Sequence, residues 1–173
     1  MKILVNKFLT FFRNVKLYES NISSGNTKNI NFNLYVIKNS NKVFKNKYTA
    51  EYFRLFSNKR KRLLKGQNLF ILTYKKQLAC SGWMAKSNKW IITEVDLSIR
   101  TNNTIVLFDF YTPVSMRSKG YYTKLLKMIL QKLCKKKLLI YTLSSNQASI
   151  KAIEKAGFIF KRNINRFNFK NEK

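Results

Sequence analysis

Apolar positions change their spacing several times along the chain, and each change marks a new element. Phe8, Phe11, Phe12 and Val15 recur at roughly helical intervals among basic residues, predicting a basic amphipathic helix within residues 1–20. Residues 19–31 are polar and read as loop. Phe32–Ile37 reads as a first strand. A helical stretch starts at Thr49 and takes its apolar positions from Tyr52, Phe53, Leu55, Phe56, Leu63 and Leu64. Strand-like runs follow at 69–74, 78–85, 90–99 and 104–112. Short polar turns such as Lys75-Lys76-Gln77 and Thr101-Asn102-Asn103 join them, the pattern of an antiparallel meander.

Beyond Pro113, the single proline, the rhythm alternates. Residues 121–133 are helical, with Leu125, Leu126, Ile129, Leu130 and Leu133 on one face. Leu138–Leu143 reads as a strand, Gln147–Ala156 as a short helix and 158–167 as a final strand. Alternating strand and helix calls for parallel pairing of at least two strands. The expected architecture is a mixed α/β (α+β) sheet, a meander leading into a β-α-β-α-β segment. A basic N-terminal segment, residues 1–31, precedes one domain over residues 32–173.

Composition narrows the function classes. The 173 residues, 45% of them hydrophobic, suit one compact domain. The start resembles a leader peptide, with Lys2 ahead of apolar residues, but Lys7 and Arg13 interrupt the run and no small-residue cleavage site follows. No apolar run reaches the roughly 20 residues of a spanning helix. Packing against the domain is the expected fate of the first residues, with membrane-surface contact the lesser alternative. Cys80 and Cys134 stand alone and fit buried thiols in a reducing cytoplasm. Histidine is absent, which removes Ser-His and Cys-His nucleophile pairs and most zinc sites, so no metal is expected.

Lysine and arginine outnumber acids 35 to 7, for a formal charge of +28. Nucleic-acid binding is one reading of that excess. The basic residues spread over the whole chain, however, and asparagine, uncharged, is abundant too, so a compositional bias explains the charge better. The Lys59-Arg60-Lys61-Arg62 run is read in the same way, as a solvated face. The field still attracts an anionic ligand.

Residues 109–122, Asp-Phe-Tyr-Thr-Pro-Val-Ser-Met-Arg-Ser-Lys-Gly-Tyr-Tyr, carry the chemistry. A strand ends, a loop brings Arg117, Lys119 and Gly120, and a helix begins at once. Free N–H groups at such a helix start favour a bound anion, and glycine lets the main chain approach it. Farther on, Asn146 fits a helix N-cap and Gly157 a helix-ending residue.

Together these segments resemble the GNAT acetyltransferase superfamily. Its Arg/Gln-x-x-Gly-x-Gly/Ala motif falls on Arg117, Gly120 and Tyr122. Its later Asn-x-x-Ser/Ala…Lys-x-Gly-Phe segment falls on Asn146, Ser149, Lys155, Gly157 and Phe158. The likeness is specific over residues 104–160 and topological before them. It implies a splayed strand pair that takes acetyl-CoA as acyl donor. Phe110 and Thr112 would supply backbone groups to the pantetheine arm and thioester, while Arg117, Ser118, Lys119, Gly120, Tyr121 and Tyr122 would surround the pyrophosphate. Asn146 would bond the pantetheine or a site water. Two departures stand out: Tyr122 replaces a small residue, and Ile153 occupies the place of the tyrosine that protonates the thiolate in many relatives. Tyr111, Tyr121 and Tyr141 are the substitutes.

Without histidine, the base must come from a short list of acids or from a held water. Asp109 is the first candidate, because burial in the apolar run 105–110 would raise its pKa. Its alternative role is to accept loop hydrogen bonds or pair with a lysine. Glu94 is second, with Asp96 on its face, and Glu154 is expected to face solvent. Trp83 and Trp90 are read as core before acceptor pocket. The expected reaction is direct N-acetylation of a small-molecule or sugar amine, with an anionic acceptor mildly favoured by the charge and room left for a homodimer. The alternatives are a catalytically degenerate GNAT domain, a basic nucleic-acid-binding domain, and a longer acyl donor.

Overall fold

The computed structural model describes residues 13–20, 31–38 and 46–166. The elements in chain order are β1 (Val15–Ser20), β2 (Phe32–Ile37), α1 (Lys47–Leu55), a 3₁₀ turn (Ser57–Arg60), α2 (Lys61–Leu64), β3 (Asn68–Tyr74), β4 (Gln77–Lys86), β5 (Lys89–Ile92), β6 (Leu97–Arg100), β7 (Ile105–Tyr111), α3 (Tyr121–Lys132), β8 (Leu138–Leu143), α4 (Gln147–Ala156) and β9 (Phe158–Ile164). Seven strands form one sheet in the order β2-β3-β4-β7-β8-β1-β9, and β5 and β6 form a separate hairpin. The expected meander is present as the antiparallel run β2-β3-β4-β7, and the expected parallel pairing as β7 beside β8.

Each helix covers the sheet with the stripe its sequence offers. On α3, Leu125, Leu126 and Ile129 are fully buried at i, i+1 and i+4, and α4 adds Ile150 and Ile153. Of these, Leu125, Leu126, Ile129 and Ile153 meet Leu72, Leu107 and Ile140 on one sheet face. Burying each such side chain contributes roughly 1.5–3 kcal/mol relative to leaving it in water. The opposite face carries α1 and α2, whose Tyr52, Phe53 and Leu63 pack on Trp83 and Phe108. The β5–β6 hairpin covers the rest of that face through Ile92, Val95 and Ile99. Trp83 is core as expected, fully buried, with its indole Nε1 donating to the Tyr52 hydroxyl at 2.8 Å.

Three elements differ from the sequence reading. The helix expected within residues 1–20 is a strand at Val15–Ser20, while Phe8, Phe11 and Phe12 lie outside the described residues. β1 runs antiparallel to both β8 and β9 and so belongs to the same sheet as the later strands. Backbone pairing on both edges fixes Val15–Ser20 as a strand, and because the sheet is covered on both faces Leu17 and Tyr18 are both buried, Leu17 beside the hairpin residues and Tyr18 beside α3 and α4. The strand expected at 90–99 is the β5–β6 hairpin, turning through Asp96 at a φ of 52°. The helical stretch from Thr49 breaks after α1 at the 3₁₀ turn.

Candidate functional site

Pairing between β7 and β8 covers only Ile105 with Leu138, Val106 with Leu139 and Leu107 with Ile140. Beyond Leu107 each strand stays bound to its outer neighbour, β7 to β4 and β8 to β1, so the two diverge. A bulge drives the divergence: Ser81 pairs with Tyr111 and Trp83 with Phe108, leaving one residue extra on β7. Asp109, inside the bulge, has a φ of 50°. Tertiary pairing thus opens the sheet where α3 and α4 begin.

The opening is a cleft of about 780 Å³ lined by Phe110 and Tyr111 of β7 and Thr112 just past it, by residues 116–118 and 120–123 of the turn and helix start, and by one side of α4 from Asn146 to Lys155. Of the expected coenzyme residues, Phe110, Thr112, Arg117, Ser118, Gly120, Tyr121, Tyr122 and Asn146 line it. Lys119 does not; its ammonium donates to the Ser115 carbonyl at 2.8 Å and braces the turn. Ser118 and Gly120 both take left-handed backbone, with φ of 59° and 74°. Among the described residues, the N–H groups of 118–123 donate to no protein acceptor, so several converge unpaired at the start of α3.

Charge in the cleft is one-sided. Arg117, Lys151 and Lys155 line it, and among the described residues no carboxylate does. The Arg117 guanidinium is steadied by donating from Nε to the Thr112 carbonyl at 3.2 Å. The Asn146 side chain caps α4 by accepting from the Ser149 N–H at 3.1 Å. Sequence reasoning did not single out Met116, Thr123, Ala148, Lys151 or Ala152. Lys151 and Lys155 stand four apart on α4, with Ala148 and Ala152 also four apart. That periodicity would have found the face.

Asp109 is turned away from the cleft, and the rationale for it as a base is corrected. Its carboxylate pairs with Lys59 at 2.7 Å and with the Arg62 guanidinium from the α1–α2 side. Burial works to raise its pKa, but hydrogen bonds and charge from Lys59 and Arg62 outweigh it and hold the group below its ordinary value. The Lys59-Arg62 run, read as a solvated face, therefore supplies this ion pair. Lys59 also sits 4.3 Å from the Phe56 ring, and Arg62 5.3 Å from both Trp83 and Phe108.

Glu94 lies in the hairpin turn, half-buried, and forms no ion pair among the described residues. Its charge reaches Tyr141, the first β8 residue past the end of parallel pairing, whose phenol accepts from Trp90 Nε1 at 3.4 Å. Burial, reinforced by Glu94, pushes the Tyr141 phenol up to about 12. Asp96 pairs with Arg166 at 2.8 Å. Glu154 accepts from the buried Tyr18 hydroxyl at 3.1 Å. Ile153 is fully buried, and Tyr121 packs in the core against Phe32 and Tyr74.

On the cleft side, Thr112 Oγ1 donates to Cys80 Sγ at 3.3 Å, and burial pushes that thiol up to about 12. The Phe110 ring lies against Tyr122, with centroids 4.9 Å apart. Burial raises the Tyr122 phenol far above its ordinary range.

Comparison with known proteins agrees with this architecture. Among solved structures, a GNAT-family acetyltransferase from Colwellia psychrerythraea matches with a TM-score of 0.53 at 17% identity, over 87% of this chain and 53% of its own. An acetyltransferase assigned to the same family from Novosphingobium aromaticivorans gives 0.55 at 9% identity, over 87% and 61%. A functionally unknown conserved protein from Staphylococcus epidermidis gives 0.50 at 10%, over 94% and 65%. At these identities the likeness shows the fold, and the chain spans less than two thirds of each structure's length. No curated protein matches the sequence. The model of the acetyltransferase (GNAT) family matches residues 42–158, more than half of the chain, and the protein belongs to that family.

Proposed function

We propose that the protein transfers an acetyl group from acetyl-CoA to an amine on a small molecule or sugar. The observation that carries this reading is the cleft itself. Unpaired N–H groups at the start of α3 and three cations face one space, the arrangement a pyrophosphate requires. The N–H groups of 118–123 hold that pyrophosphate, with Arg117, Lys151 and Lys155 around it. The backbone of Phe110, on the edge of β7 that β8 leaves, and of Thr112 just past it aligns the pantetheine arm and polarises the thioester carbonyl. Asn146 bonds the arm from the α4 side.

The acceptor enters from the opposite sheet face, between α1–α2 and the hairpin. Its amine attacks the carbonyl directly, and holding both reactants supplies much of the rate gain. Glu94, not Asp109, takes the amine's proton, since Asp109 is neutralised by two cations. Tyr141, a phenol kept protonated at neutral pH, replaces the missing donor at Ile153 and protonates the departing thiolate. Asp109 orients Arg62 and Lys59, which suit an anionic group on the acceptor. Free thiols at Cys80 and Cys134 suit a cytoplasmic setting.

The test is calorimetric titration of acetyl-CoA into the protein, beside Gly120→Glu and a salt series. Saturable binding that survives moderate salt and disappears in Gly120→Glu supports the reading. Binding that fades with salt and ignores the substitution sinks it. A second reading, coenzyme binding without turnover, is favoured by the burial of Ile153. Acetyl-CoA consumption with any member of an amine and amino-sugar panel would exclude it.

A further inference from the structure

The cleft has an aromatic wall beside the end of β7 that no family motif calls for. The Phe110 ring lies so close over Gly82 that a Cβ there would meet its ring carbons at 2.2 and 2.3 Å. Only glycine on β4 admits the ring in this place. The Tyr122 ring packs against the same ring at an interplanar angle of 47°, so Phe110 rests on both a backbone and a second ring. Beside them lies Cys80, fully buried and hydrogen-bonded to Thr112. Phe110, Thr112 and Tyr122 all line the cleft, so this packed cluster forms its wall beside the end of β7.

We propose that Phe110, resting on Gly82 and Tyr122, is the floor of the acyl pocket and restricts the donor to short acyl groups. The inference rests on the coenzyme reading above and adds the chain length of the donor. A tightly packed aromatic pair has no void into which further methylenes can extend, and making room forces side chains off their rotamers. An acetyl group needs no such room. A chain of four or more carbons displaces the Phe110 ring or stays in water. The Tyr122 departure from the small-residue motif then has a purpose, since a glycine there would leave Phe110 unsupported on one side.

The experiment measures Kd for free CoA, acetyl-CoA, butyryl-CoA and octanoyl-CoA in the unmodified protein, Phe110→Ala and Gly82→Ala. Each acyl-CoA is scored relative to free CoA, which cancels general damage to the coenzyme site. The unmodified protein is expected to bind acetyl-CoA at least as well as free CoA and octanoyl-CoA about tenfold worse. Each methylene newly seated in an apolar space strengthens binding about fourfold. Phe110→Ala should therefore improve the octanoyl-to-free ratio by about tenfold or more. Gly82→Ala should act oppositely, pushing the ring toward the cleft and weakening butyryl-CoA further relative to free CoA. If Phe110→Ala does not fold, the chain-length series and Gly82→Ala still decide. Equal affinity for all chain lengths in the unmodified protein overturns the inference alone. Loss of free CoA binding in the unmodified protein overturns the coenzyme reading with it.

Discussion

Replacing Asp109 by asparagine separates a structural role for this carboxylate from a catalytic one. The substitution keeps the side chain's shape but removes the charge that Lys59 and Arg62 share. The Lys59, Arg62 and Asp109 side chains are 18%, 30% and 30% exposed, so the pair sits between surface and interior. Exposed pairs are worth about 0.2–1 kcal/mol, while breaking a buried pair costs about 3–5 kcal/mol. An intermediate site, with the cations still resting on Phe56, Trp83 and Phe108, places the loss near 2 kcal/mol, or roughly 4–8 °C in Tm. The pH dependence adds a second readout. A carboxylate whose folded pKa is lowered contributes stability in full above its unfolded pKa near 3.9, and loses it as pH falls through the folded value. Thermal melts from pH 7 to strong acid should show a constant gap between the two proteins down to about pH 4, then convergence. A general base would behave differently, with turnover falling by about 10² or more and Tm unchanged. Equal Tm at pH 7, together with that loss of turnover, would refute the ion-pair reasoning.

Other consequences are measurable separately. Lys151→Gln and Lys155→Gln should each weaken acetyl-CoA binding several-fold, for about 1 kcal/mol, and flatten its salt dependence in calorimetry. Tyr52→Phe leaves the buried Trp83 indole N–H without its acceptor and should cost about 1–3 kcal/mol in urea unfolding. The Tyr18, Tyr52 and Tyr141 phenols are each pushed up to about 12, mainly by burial. The protonated phenols therefore stabilise the fold below pH 10, and that stability is lost as pH rises from about 10 to 12; the share of tyrosinate absorbance owed to these three of the nine tyrosines should rise with unfolding instead of ahead of it.

Local chemistry made the second half of the chain legible. Gly120 and Gly157 take the left-handed backbone that starts and ends helices, and Asn146 caps α4 with its own side chain, all within a few residues of sequence. Apolar spacing alone named the buried face of α3 through Leu125, Leu126 and Ile129. What sequence could not carry were relations between distant segments. Val15–Ser20 is a strand because β8 and β9 offer both edges, and no pattern within six residues encodes that offer. The turn at Asp96 lacks glycine or proline, so apolar Val95 and Leu97 masked a hairpin as one strand. Asp109 has an apolar sequence neighbourhood that argues for a raised pKa, yet its spatial neighbours are Lys59 and Arg62, about fifty residues earlier. Periodicity and caps are short-range and survive in one dimension; the electrostatics of a carboxylate depends on which charges the fold brings within a few ångströms, and only the tertiary structure decides that.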